Sequence, residues 1–93
     1  MTEQELYQAA LNKWGIPSQI DMLLEECCEL IHAAHKHNRG KLNNLPEELV
    51  DASICIEQVK NLFPGKFEAI KQQKLERLAG LLGTTYEPGG KVG

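Results

Sequence analysis

Apolar residues recur three and four positions apart in four segments of this chain, and nowhere do they alternate with polar ones as a half-buried strand requires. The first segment carries Leu6, Ala9 and Ala10 at that spacing, with Trp14 at its end. Thr2 followed by Glu5 has the form of a capping box and Gly15 that of a stop, so a helix is predicted over about Thr2 to Lys13. The second segment runs from near Pro17 to Asn38, with Ile20, Leu23, Leu24, Cys27, Leu30, Ile31 and Ala34 as its stripe, and Gly40 ends it. The third opens at Asn44 as a cap, with Pro46 in the first turn and Glu47 three residues after the cap. It extends to about Phe63, where Pro64–Gly65 stops it, and Leu45, Leu49, Ala52, Ile56, Val59 and Phe63 form its expected core face. The fourth spans about Lys66 to Leu82, with Phe67, Ile70, Leu75, Leu78, Leu81 and Leu82 as apolar positions and Gly83 as terminator. The expected fold is all-α: a four-helix chain forming one helical domain over residues 1–83, followed by a flexible tail at 84–93.

The acidic residues fall on particular sides of these helices. Successive helical side chains are set roughly 100° apart. Glu26 and Glu29 are therefore neighbours one turn apart on helix two, with Glu26 flanking the apolar stripe and Glu29 opposite its centre. Glu48 and Asp51 repeat the spacing on the flank of helix three, near Cys55 and Leu62. Four partly buried carboxylates on two adjacent helices would repel one another. A hard divalent cation relieves that repulsion, and all-oxygen ligation suits Mg²⁺ or Mn²⁺. A single ExxE is common on helix surfaces, so the weight lies in the two pairs together.

Composition changes the picture in one respect. Only 5% of the 93 residues are aromatic, so the core must be made of Leu, Ile, Val and Ala and is modest. Val50 and Ile54 lie on the back of helix three, which makes that helix apolar on two sides. The second side is expected to meet another copy of the chain.

Charge and cysteine content narrow the function classes. The formal net charge is −3, which gives no strongly basic face for polymeric nucleic acid. The distribution says more, since acidic stretches around Glu26 and Glu48 flank a basic turn containing Lys36, Arg39 and Lys41. Three cysteines, Cys27, Cys28 and Cys55, with no CxxC are unlike a disulfide framework and suit a reducing compartment. No apolar run is long enough to cross a membrane, and the opening MTEQELYQ has no basic and apolar regions of a signal peptide, so a cytoplasmic location is expected.

The stretch Glu25-Glu26-Cys27-Cys28-Glu29 with Glu48-Leu49-Val50-Asp51 resembles the (E)ExxE and ExxD signature of the MazG-like family of all-α nucleoside triphosphate pyrophosphohydrolases. The resemblance covers roughly Leu6 to Leu82 and is to the short, single-domain members found in bacteria and phages. It implies hydrolysis of a nucleoside triphosphate between the α- and β-phosphates, giving monophosphate and pyrophosphate. It also implies Mg²⁺ held by Glu26, Glu29, Glu48 and Asp51, and assembly as dimers or tetramers; Glu25 and Glu26 are the candidate catalytic acids, with Glu25 open between supporting the ligands, orienting water and simple solvation. Phosphate charge calls for cations from the protein, and Lys36, Arg39, Lys41, Lys74 and Arg77 are the candidates. Trp14 is placed to stack on a base or to cap the end of the bundle, and Gln19 either contacts substrate or lies on the first-turn surface.

Two other readings compete. Glu29 and His32 form an ExxH of the kind used in di-iron bundles, but no second ExxH exists. Cys28 and His32 are one turn apart, a spacing open to Zn²⁺ as well as to a solvated histidine cluster with His35 at the helix end. The alternative to an enzyme is a non-catalytic helical module that binds a nucleotide or a protein.

Overall fold

In the computed structural model, which describes residues 1–89, the chain is all-helical, with no strand among the described residues. Its helices are α1 (Glu3–Trp14), α2 (Ile16–Asn38), α3 (Leu45–Lys60) and α4 (Phe67–Leu81). The expected boundaries hold to within three residues. The chain divides into two compact units, the first Met1–Phe63 and the second beginning at Pro64.

In the first unit the start of α1 is fixed as predicted. The Glu5 backbone N–H donates to Thr2 Oγ1 at 3.1 Å, and the Thr2 N–H donates to Glu5 Oε1 at 2.7 Å. This satisfies donors that a helix N-terminus leaves open and contributes about 1 kcal/mol. Gly15, at φ +82°, both ends α1 and begins α2, a backbone angle that other residues adopt at a cost. At the far end of α2, Gly40 is left-handed at φ +68° and the Lys41 N–H donates to the Lys36 carbonyl at 2.9 Å. That is a Schellman closure, and it turns the chain directly into α3.

The start of α3 departs from expectation. Asn44 occupies the cap position, but its side chain does not cap the helix. Asn43 Oδ1 accepts from the Leu45 N–H at 2.9 Å instead. The Asn44 amide is thereby released to donate forward to Glu48 Oε1 at 3.0 Å. A carboxylate in need of a donor draws Asn44 away from the helix end.

The main packing is the α2–α3 hairpin, with α1 touching both helices. Its seam is rotated from the expected stripe. On α2 the covered residues include Gln19, Met22, Leu23, Glu26, Cys27, Leu30 and Ala33, whereas Ile20, Leu24 and Ile31 are exposed. On α3 the covered row is Leu45, Glu48, Ala52, Cys55, Val59 and Leu62, whereas Leu49, Ile56 and Phe63 are exposed. Both helices carry two apolar faces. The faces that meet are those with small residues, and Ala33 and Ala52, each 2% exposed, let the backbones approach. Val50 and Ile54 are exposed on α3, on the side expected to be apolar without an intrachain partner.

The second unit consists of α4 and the segment after it. Gly65 and Gly83 are left-handed at either end, and the Thr84 N–H donates back to the Ala79 carbonyl at 2.9 Å. Tyr86 is half-buried and, with Pro88, lines a cavity shared with Glu68, Lys71 and Leu75 of α4. Residues 90–93 of the expected tail lie outside the described residues.

Candidate functional site

Rotation of the seam brings carboxylates into the hairpin. Glu26 on α2 is half-buried, Glu48 on α3 is 8% exposed, and Glu29 stands one turn beyond Glu26 at the solvent edge. One oxygen from each of the three lies within 4.8 Å of the other two. Glu26 Oε2 and Glu48 Oε2 are buried without a hydrogen-bond partner. An unpartnered buried acceptor is costly, and two in one cluster mark a place lacking a donor or a cation.

The electrostatics follow from this arrangement. Burial pushes the Glu26 carboxyl above its ordinary range, and the negative charges of Asp51, Glu48 and Glu25 push it the same way, while its contact with Glu29 pulls in the opposite direction. Burial likewise raises Glu48, reinforced by Glu29 and Asp51, while the hydrogen bond from Asn44 pulls in the opposite direction. Cys55, buried one turn beyond Asp51 on α3, is also pushed up, by burial first and then by the charges of Glu26 and Asp51. Burial and mutual repulsion disfavour charge on these carboxylates, and a bound cation would reverse that penalty.

The expected site residues are distributed as follows. Glu26, Glu29 and Glu48 come together. Asp51 is exposed and is not among the close three, although its charge reaches both Glu26 and Glu48. Glu25 is exposed on α2 beside Glu26. Lys36, Arg39 and Lys41 are exposed at the α2–α3 turn, on the same end of the hairpin as Asn44. Lys74 and Arg77 lie on α4, in the second unit.

Two residues differ from expectation. Gln19 is not on the surface of the first turn. It is 3% exposed, with both amide atoms buried and unpartnered. It occupies the Glu26 side of α2 two turns earlier, roughly 10 Å along the axis. Trp14 does not cap a core. It is 48% exposed and lines an apolar groove of about 630 Å³ with Leu6, Tyr7, Ala10 and Ile54, and Lys13 Nζ sits 5.6 Å from its ring centroid.

Asn44 was not expected at the site. The signal for it is its position one turn before Glu48, the i,i+4 spacing at which an amide reaches a carboxylate. A cavity of about 330 Å³ opens beside the cluster, lined by Cys28, Glu29, His32, Ala33, Asn44 and Glu48. Comparison with family models, with curated proteins and with solved structures finds no match to this chain. Among the described residues no helix is long and apolar enough to cross a membrane.

Proposed function

We propose that this protein is a Mg²⁺-dependent nucleoside triphosphate pyrophosphohydrolase, with Mn²⁺ as a substitute, that releases monophosphate and pyrophosphate. The observation that carries the reading is the convergence of Glu26, Glu29 and Glu48 from two helices, with two buried oxygens left unpartnered. An all-oxygen carboxylate set of this kind fits a hard cation. Glu26, Glu29 and Glu48 would hold the ion, and Asp51, one turn from Glu48, adds negative charge and is the fourth ligand implied by the resemblance. When bound, the ion neutralises phosphate oxygens and lowers the pKa of water.

The protein's own groups perform the rest. Glu25, exposed on α2 beside Glu26, is the carboxylate assigned in this reading to orient or deprotonate the attacking water. Asn44 donates to Glu48 and fixes the orientation of its carboxylate. Lys36, Arg39 and Lys41 supply positive charge at the end of the hairpin toward which a triphosphate would extend. Water attacks a phosphorus, its proton passes to a carboxylate, and the pyrophosphate leaves. No covalent enzyme intermediate is needed.

Assembly belongs to the same reading. Ile20, Leu24 and Ile31 on α2 and Val50 and Ile54 on α3 are exposed, and among the described residues no large side chain is fully buried. A second copy covering these faces would supply the core that a single chain lacks.

The test is a panel of nucleoside triphosphates assayed for pyrophosphate with Mg²⁺ and with Mn²⁺. Metal-dependent release is expected, with loss of most activity in Glu29→Gln and Asp51→Asn. A folded protein that releases no pyrophosphate from any of them overturns the proposal.

A further inference from the structure

The groove that Trp14 lines carries a charge pattern that the proposed metal site does not use. Tyr7 and Ala10 are buried and form its floor, whereas Leu6, Trp14 and Ile54 are exposed and form its walls. Along α1 its central row reads Glu3, Leu6, Ala10, Lys13, a charge at each end and apolar residues between. The steps of three, four and three residues are those of a helix–helix seam. Glu3 and Lys13 are equally far from position 8, and so are Leu6 and Ala10. A second α1 running antiparallel, with its position 8 against this one, therefore sets Glu3 beside the partner's Lys13 and Lys13 beside the partner's Glu3. It also sets Leu6 beside the partner's Ala10, large against small. A parallel pairing would put like charges together at both ends. The row is thus its own complement under a two-fold axis, as an isologous contact requires. The Tyr7 hydroxyl donates to Glu3 Oε2 at 2.9 Å at one end, and Lys13 Nζ lies 5.6 Å from the Trp14 ring centroid at the other, roughly 15 Å along the axis.

We propose that this groove is an interface between two copies of the chain, paired through antiparallel α1 helices about position 8. Charge complementarity commits it to a second copy, because each end of the groove finds its opposite charge on the same row of another chain. Trp14 lies beyond Lys13 at the end of the row, where the start of the partner's α1 covers it. Of the residues proposed above for assembly this contact uses Ile54 alone, and it does not rest on the proposed activity. With α1 only 12 residues and roughly 18 Å long, the contact is small and belongs to the weak class of interfaces.

The test follows the fluorescence of Trp14, the one tryptophan of the chain, over a dilution series of the full chain, with sedimentation in parallel. Association covers the ring, so its emission should move to shorter wavelength as concentration and sedimenting mass rise. Glu3→Lys and Lys13→Glu each turn two attractive pairs into two repulsive ones, and each should weaken the association read by Trp14 about tenfold or more. Both side chains are exposed, so each variant should keep the far-ultraviolet dichroism of the wild type. An equimolar mixture of the two variants should regain the wild-type emission shift, because every contact in the mixed pair again joins opposite charges. Damage to either helix would persist in the mixture, so recovery is specific to the pairing. A wild-type emission that does not move with concentration overturns the proposal, and if the mass still grows the copies meet on another face. A variant that associates like the wild type, or a mixture no tighter than its components, overturns it as well.

Discussion

Replacing Ala33 by Leu tests whether close approach of α2 and α3 is what assembles the carboxylates. Ala33 is 2% exposed, lies on the α2 seam and lines the cavity shared by Glu29 and Glu48. The substitution puts an isobutyl group where a methyl fits. Leu is nearly as good a helix former as Ala, so helix propensity contributes little to the effect. Overpacking at such a position costs about 1–3 kcal/mol. For a domain of this size a loss of about 2 kcal/mol lowers Tm by roughly 8–16 °C. The same displacement moves Glu29 away from Glu48, so Mn²⁺ should bind more weakly and its stabilising effect on the wild type should shrink. Thermal unfolding by circular dichroism, at one protein concentration with and without Mn²⁺, reads both consequences. Asp21→Asn, exposed on the same helix and outside both the seam and the Ile20, Leu24 and Ile31 face, is the control and should stay within about 0.5 kcal/mol of wild type. If Ala33→Leu unfolds like the control and binds Mn²⁺ like the wild type, the seam does not set the geometry of the site.

Three further outcomes follow from the same geometry. Without metal, Glu48→Gln should be more stable than wild type at neutral pH. Burial and the Glu29 charge raise the folded-state pKa of Glu48. The stability it contributes is therefore full below the ordinary carboxylate range and lost as pH rises through the raised folded value. The wild type should weaken over that window more than the variant, which should also lose stabilisation by Mn²⁺; pH-resolved melting curves in which Glu48→Gln is the less stable protein at pH 7 would contradict this. Asn44→Ala removes the amide that donates to Glu48 Oε1 and should weaken Mn²⁺ binding about tenfold, measured by titration. Sedimentation at micromolar concentration should give a dimer or tetramer, with Val50→Lys or Ile54→Lys shifting it toward monomer; a wild-type monomer would reject the assembled form.

Much of the local structure was legible in the chain. Thr2 and Glu5 form the box their spacing announces, and Gly15 and Gly40 end helices where their freedom at positive φ is needed. The acid pairs were legible too, because a turn of helix always makes Glu26 and Glu29, or Glu48 and Asp51, neighbours. Adjacent asparagines were not resolvable by residue type. Asn43 and Asn44 are equally good helix-end residues, and the assignment depends on the reach of Asn44 to Glu48, a contact with the next turn of α3. Gln19 was read either as a substrate contact or as a first-turn surface residue, since glutamine is usually exposed. Its burial depends on packing between helices, and periodicity carries no record of that.

The sequence by itself determined four helices, their ends, and which side chains sit one turn apart on each. Those properties depend on backbone geometry and on residues within a few positions of one another. The tertiary structure decided which side of each helix is the seam. Hydrophobicity favours Ile20, Leu24 and Ile31 on α2 and Leu49, Ile56 and Phe63 on α3, yet these are exposed. The chain pairs the sides where Ala33, Ala52 and Cys55 let the helices come close, and that choice turns Glu26 and Glu48 inward. Periodicity fixes angles around one helix axis. Only the fit of two surfaces selects among faces of similar polarity, and here that selection places Glu26, Glu29 and Glu48 within reach of one ion and leaves Asp51 outside the close three.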